Sequence, residues 1–190
     1  MGVTVLAGVP GVGLTALAER ARKQLSDEYE LVNFGDVMLE QAVANDLVET
    51  RGDLAGLPRE TTRRLQRRAG EYVADRSDAA EVLLTTHLVV ETDVGLLPGL
   101  PDAVLRDVDP DLLVVVETTP ETVRERRTES PRGYEDETAL AIEFEQDFNR
   151  TAAFEYAVAA DAPVRLVENE ADVAAGAEAL AAAVSDRAED

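Results

Sequence analysis

The sequence predicts an α/β protein in which a five-stranded parallel sheet lies between two layers of helices. Three observations point to it. Five short runs, Val3–Ala7, Glu30–Phe34, Val82–Thr86, Leu112–Val116 and Val164–Val167, are nearly continuous in aliphatic and β-branched residues, as strands buried on both faces must be. Helical patterns separate these runs, and alternation of strand and helix yields parallel neighbours. The first run ends in a glycine-rich turn, Gly8-Val9-Pro10-Gly11-Val12-Gly13-Leu14-Thr15, that opens directly into a helix.

The first helix is expected from Thr15 to about Leu25 and the second from about Asp36 to Asn45. Pro58, with its preset φ, opens a third that runs through Arg76, where Leu65, Ala69, Tyr72 and Val73 form an i, i+4, i+7, i+8 stripe. Pro101 begins a short helix before the fourth strand. Thr119-Pro120-Glu121 caps and starts the next, which carries Arg124, Arg126 and Arg127. A long helix is expected from about Glu135 to Ala160, with Leu140, Phe144, Phe148 and Ala152 recurring every fourth residue, and an alanine-rich one from Ala171 to Ala188 closes the chain. The loop-like stretches are Thr50–Leu57, Thr92–Pro101 and Thr128–Asp136, so chemistry is expected there and at the glycine-rich turn.

A chain of 190 residues, 45% hydrophobic, is long enough for one substantial core and short for two, which makes residues 1–190 a single domain with small inserted lobes. No apolar run is long enough to span a membrane and no leader precedes the first strand, so a soluble cytoplasmic protein is expected. With no cysteine and only His87, disulfide frameworks, thiolate metal sites and histidine metal clusters are excluded. The net charge of −21 repels nucleic acid and anionic membranes. Only Lys23 among the 18 basic residues is lysine, and that shortage beside the acidity resembles the surfaces of salt-loving cytoplasmic proteins. Arg63, Arg64, Arg67 and Arg68 make one cationic helix face, expected to pair with acidic neighbours or another subunit.

Residues 8 to 15 match the phosphate-cradling pattern G-x-x-x-x-G-K-[ST], with Leu14 in place of lysine. In the intact pattern, backbone N–H groups wrap the phosphates, lysine neutralises the β and γ oxygens, and the hydroxyl reaches Mg²⁺. Strand, glycine-rich turn and helix N-terminus remain here as an anion site, with Gly8, Val9, Pro10, Gly11, Val12, Gly13, Leu14 and Thr15 on the phosphates and Thr15 on Mg²⁺.

Further blocks follow in register: Val32-Asn33-Phe34-Gly35-Asp36-Val37-Met38, Thr86-His87, Gly95-Leu96-Leu97-Pro98-Gly99-Leu100-Pro101 and Phe148-Asn149-Arg150-Thr151-Ala152-Ala153. With the glycine-rich turn, their order and spacing resemble the archaeal-type adenylate kinases, a branch of the P-loop nucleoside monophosphate kinases, along almost the whole chain. The resemblance implies a P-loop NTPase fold with sheet order 2-3-1-4-5, a monophosphate lobe at about residues 36–76 and a short lid at about 128–136. It implies reversible phosphoryl transfer between Mg·ATP and AMP, which rests on positioning and charge neutralisation. Gly35, Asp36, Arg51 and His87 would then lie on the AMP side, and Arg127, Arg132 and Arg150 would converge on the transferring phosphoryl. A homo-oligomer, a trimer as in family members, is also implied.

The chain departs from the family at charged positions. Leu14 stands where many members have lysine, and Thr85-Thr86-His87 where they have Asp-Thr-His. Arg51-Gly52-Asp53-Leu54-Ala55-Gly56-Leu57 replaces a segment richer in cations, Glu91 a basic residue, and Pro131-Arg132-Gly133-Tyr134 a lid with two arginines. Removing one charge-assisted hydrogen bond to a phosphoryl transition state costs about 2–4 kcal/mol. The residues therefore leave open a working adenylate kinase, a nucleotide-binding relative that has lost catalysis and acts as a sensor or partner-binding module, and a kinase for another acceptor.

Overall fold

The computed structural model describes residues 1–92, 95–130, 137–170 and 172–186. In chain order its strands are β1 (Val3–Ala7), β2 (Tyr29–Asn33), β3 (Glu81–Thr86), β4 (Val89–Thr92), β5 (Gly95–Pro98), β6 (Pro110–Glu117) and β7 (Val164–Glu168). The helices are α1 (Leu14–Arg22), α2 (Phe34–Ala44), α3 (Arg59–Ser77), α4 (Asp102–Val108), α5 (Pro120–Thr128), α6 (Ala139–Ala160) and α7 (Val173–Ser185), with a 3₁₀ turn at Arg51–Gly56.

Five strands pair in parallel in the order β2-β3-β1-β6-β7, and Val5 sits between Leu84 and Leu113. Within this sheet the order is second, third, first, fourth, fifth. The labels depart from the sequence expectation because an antiparallel hairpin, β4 with β5, occupies part of the stretch read as loop. Alternation along β1 sets the layers. Val3, Val5 and Ala7 face α3, α4 and α6 through Ala69, Val73, Val104 and Ala153, whereas Leu6 faces α1 and α7 through Leu17, Ala18 and Leu180. A fully buried leucine stabilises the fold by about 1.5–3 kcal/mol, and a one-residue slip of β1 would exchange the two faces, so the register is well specified.

Local chemistry moved several boundaries. The Asn33 side chain accepts the Asp36 N–H at 3.1 Å, so β2 stops at Asn33 and Phe34 begins α2 instead of ending the strand. The stretch Thr50–Leu57 contains a 3₁₀ turn, held by the Asp53 carboxylate accepting from Thr50 N at 2.7 Å and Thr50 Oγ1 at 2.8 Å. Helix α1 ends at Arg22, before Leu25. Thr138 caps α6 and Asp172 caps α7, which start later than Glu135 and Ala171.

The largest difference concerns α6. Its buried face carries Ile142, Gln146, Asn149, Ala153 and Ala157, while Leu140, Phe144 and Phe148 point outward at 79, 59 and 43% exposure. The fourfold spacing does mark a helical stripe, but on the face away from the core. Among the described residues no helix is long and apolar enough to cross a membrane.

Candidate active site

Open α/β sheets present their ligands at the carboxyl ends of the strands, and the glycine-rich loop leaves β1 at that edge. Gly11 and Gly13 have φ of 93° and 83°, a left-handed conformation that side chains resist. Gly13 caps α1 without any side-chain bond, so the first-turn N–H groups of α1 stay available to an anion.

The loop is gripped from outside by its carbonyls. His87, just past β3, bonds the Gly8 carbonyl through Nδ1 at 3.0 Å, which requires the proton on that nitrogen. Arg127 Nε donates to Pro10 O at 2.9 Å. Arg126 Nη1 and Asn169 Nδ2 both donate to Val12 O, at 2.9 and 2.7 Å. With these carbonyls held by β3, α5 and the turn after β7, the loop shape is fixed before a nucleotide arrives.

Two cavities flank the loop. One, of about 510 Å³, is lined by Gly11, Gly13, Leu14 and Thr15 on one side and by Gly35, Arg51 and His87 on the other. Another, of about 430 Å³, holds Gly8, Arg127 and Phe148, and both share Val9, Pro10, His87 and Glu91. These volumes suit small-molecule ligands of roughly nucleotide size. Val12 itself is buried at 1% exposure, and its side chain belongs to the core. Asp36 bonds Arg51 at 2.5 Å, and Arg51 Nη2 also reaches Asn33 Oδ1 at 3.1 Å and lies over Gly35. Gly35, Asp36 and Arg51 are thus one cluster, as the sequence suggested. Thr85 donates its hydroxyl to Val32 O at 3.3 Å.

Arg51, Arg127 and Arg150 are engaged by carboxylates. Arg127, expected at the transferring phosphoryl, is buried at 4% exposure and paired with Glu145 at 2.6 Å and with Glu137. Burial pushes its pKa down, but the two glutamates outweigh that and hold it above the ordinary arginine value. Arg150 pairs with Glu117 at 2.7 and 2.9 Å and with Asp147 at 2.6 Å, which raises its pKa, Glu117 contributing most, and it lines neither cavity beside the loop. Arg127 and Arg150 are thus each held by two carboxylates. Arg132 lies outside the described residues. Arg63, Arg64, Arg67 and Arg68 are exposed, and none forms an acidic pair among the described residues.

Arg126 and Asn169 are the site residues that sequence reasoning missed. The signal was positional: polar residues immediately after the apolar runs, Glu117 and Asn169 included, mark the carboxyl edge of the sheet where ligands bind.

Comparison with known proteins agrees with this geometry. Residues 7–143 match the family described as AAA domain. The adenylate kinase of Methanothermobacter thermautotrophicus is 40% identical over 170 residues, covering 89% of this chain and 91% of the relative. That of Methanopyrus kandleri is 41% identical over 175 residues, 90% of each. In three dimensions the shikimate kinase of Acinetobacter baumannii superposes with a TM-score of 0.61 at 12% identity, covering 98% of this chain and 94% of that one, a likeness of fold alone. Phosphate loop, carboxyl-edge cavities and sequence identity across nine-tenths of the chain lead to one assignment: this chain belongs to the adenylate kinase family of P-loop nucleoside monophosphate kinases.

Proposed function

We propose that the protein transfers the terminal phosphoryl group of Mg·ATP to AMP, giving two ADP, and the reverse. The observation that carries this is the 510 Å³ cavity, in which the loop Gly11–Thr15 faces the Gly35–Arg51 cluster, so donor and acceptor phosphates fit in one space. An oxygen of the AMP phosphate attacks the γ-phosphorus, the bond from that phosphorus to the β–γ bridging oxygen breaks, and the electron pair leaves with ADP. Such a step needs alignment and charge neutralisation more than covalent help.

Gly8 to Thr15 bind the donor phosphates through backbone N–H groups. Arg51, beside Gly35 and Asp36, orients the acceptor phosphate, and His87 braces Gly8 between the two cavities. Arg127 and Arg150 exchange their carboxylate partners for phosphoryl oxygens, and Arg132 joins them from the lid at about residues 128–136. Ala42, Val48 and Leu65 make a small separate core between α2 and α3, which supports an acceptor lobe at about residues 36–76 that moves as a unit.

The donor set suits Mg²⁺, because Thr15 is exposed at the α1 N-terminus on the cavity wall and this ion is satisfied by few protein oxygens alongside phosphate and water. When bound, Mg²⁺ neutralises charge on the donor phosphates. The acidic, lysine-poor surface supports work in concentrated salt in the cytoplasm, with no nucleic acid or membrane as partner. The outward stripe of α6 supports a homo-oligomer, a trimer as in family members.

A second reading, a nucleotide binder without turnover, is favoured by the carboxylates on Arg127 and Arg150 and by the Thr85 hydroxyl turned to the backbone. The experiment follows ADP formation in multimolar KCl with Mg·ATP and AMP, beside Arg150→Ala. AMP-dependent turnover that falls at least tenfold in Arg150→Ala is expected. Tight ATP binding without turnover would instead establish the second reading, and an unchanged rate in Arg150→Ala would remove Arg150 from the site.

A further inference from the structure

We propose that Arg126 supplies the positive charge that Leu14 removes from the phosphate loop. The inference rests on the reading that donor phosphates lie on that loop. Among the described arginines around the site, Arg51, Arg127 and Arg150 are each neutralised by carboxylates. Arg126 is different. Its Nη1 donates to Val12 O at 2.9 Å and its Nη2 to Asn169 O at 3.1 Å and Glu170 O at 2.7 Å, all of them neutral backbone carbonyls. The nearby Glu170 carboxylate is turned elsewhere, accepting from Thr119 N at 3.2 Å.

A guanidinium remains charged at any physiological pH and carries five N–H donors. Three are spent on carbonyls, which orient the group without cancelling its charge. The position is equally specific. A Cβ built on Gly13 would lie 3.4 Å from Arg126 Nη1, so the cation rests against the residue preceding Leu14, and it lines the same cavity as Gly11, Gly13, Leu14 and Thr15. The chain thus places an unneutralised cation from α5 beside the loop that lacks its own.

The test measures ATP and adenosine affinities by calorimetry, KM for ATP and for AMP, and thermal midpoints at one fixed KCl concentration. The proteins are the native chain, Arg126→Ala, Arg126→Gln, Leu14→Lys and the double variant Arg126→Ala/Leu14→Lys. Arg126→Gln puts a shorter, neutral N–H donor in place of the guanidinium, which keeps the test valid should Arg126→Ala unfold. Both single Arg126 variants should weaken ATP about 10- to 100-fold, and leave adenosine binding and the KM for AMP close to native. Leu14→Lys should restore most of the affinity in the Arg126→Ala background. Equal weakening for ATP and adenosine would overturn the proposal in favour of a contact to the base. Weakening in Arg126→Ala but not in Arg126→Gln, with no rescue by Leu14→Lys, would overturn it in favour of a mere brace on Val12. Failure of the native chain to bind ATP would overturn the phosphate-loop reading and this proposal together, whereas ATP binding indifferent to both Arg126 variants would overturn this proposal alone.

Discussion

Arg127 donates its Nε hydrogen to the Pro10 carbonyl across 2.9 Å, so helix α5 and the phosphate loop are one mechanical unit. The same guanidinium is held by Glu145 at 2.6 Å, a residue that lines the cavity beside the loop. A phosphate entering there competes with a carboxylate for one cation. Glu145→Gln should therefore bind ATP severalfold more tightly. Its side chain is 37% exposed, so solvent screening limits the stability change to about 0–1 kcal/mol. Titration calorimetry with denaturant unfolding checks both, and unchanged ATP affinity would show that Arg127 never meets the nucleotide.

Gly8 owes its identity to a close approach between strands. A Cβ there would stand 2.6 Å from Val12 Cγ2 and 2.8 Å from the Val116 carbonyl, and the second is backbone of the neighbouring strand β6. Gly8→Ala should destabilise by about 1–3 kcal/mol through overpacking and distort the loop enough to abolish measurable ATP binding. Urea unfolding at fixed salt reads the first effect. A native midpoint with native ATP affinity would mean that the loop leaves β1 by another path.

Much of this was legible in the chain because the relevant signals are local. Five apolar runs and the glycine-rich turn located the sheet and the phosphate loop, and Asn33-Phe34-Gly35-Asp36 with Arg51 located a cluster that the fold does bring together. Pairings across long sequence separations were not legible. That Glu117 would claim Arg150, that Glu137 and Glu145 would claim Arg127, and that Arg126 would meet only carbonyls depend on how α5, α6 and β7 pack around the sheet edge. Periodicity has a related limit: the stripe Leu140, Phe144, Phe148 established a helix without saying which face met the core.

Asp53 links pH to the 3₁₀ turn. Its carboxylate accepts from the Thr50 hydroxyl and the Thr50 and Glu49 amides, and the hydroxyl bond, the largest cause, pulls its pKa below the usual 3.8. A depressed folded pKa means that the stabilisation is present above the unfolded value and fades as pH falls through the folded one. The turn Arg51–Gly56 should therefore hold its protection at neutral pH and lose it only below about pH 4. Asp53→Asn should loosen it at every pH and abolish that dependence. Amide exchange of residues 51–57 between pH 3 and 7 measures it, and identical profiles for the two proteins would remove Asp53 as the cause.

On helix α6, Phe144 and Phe148 meet edge to face with centroids 4.8 Å apart while 59 and 43% exposed, and Phe154 and Val158 are each 67% exposed. At about 3.6 residues per turn these side chains and Leu140 fall within roughly one third of the helix circumference, opposite the buried Ile142, Asn149 and Ala153. An exposed apolar stripe of this length, though interrupted by Asp147, Thr151 and Glu155, favours burial against another copy. The native chain should therefore sediment as a homo-oligomer, with concentrated salt strengthening the contact by screening a net charge of −21. Phe154→Glu with Val158→Glu is the informative variant, because neither residue lines the cavities beside the loop, whereas Phe144 and Phe148 do line one. It should give a folded monomer by sedimentation velocity that still binds ATP at its own loop. An unchanged sedimentation coefficient would place the contact on another face, and a monomeric native chain at every salt concentration would leave the stripe without a role in self-association.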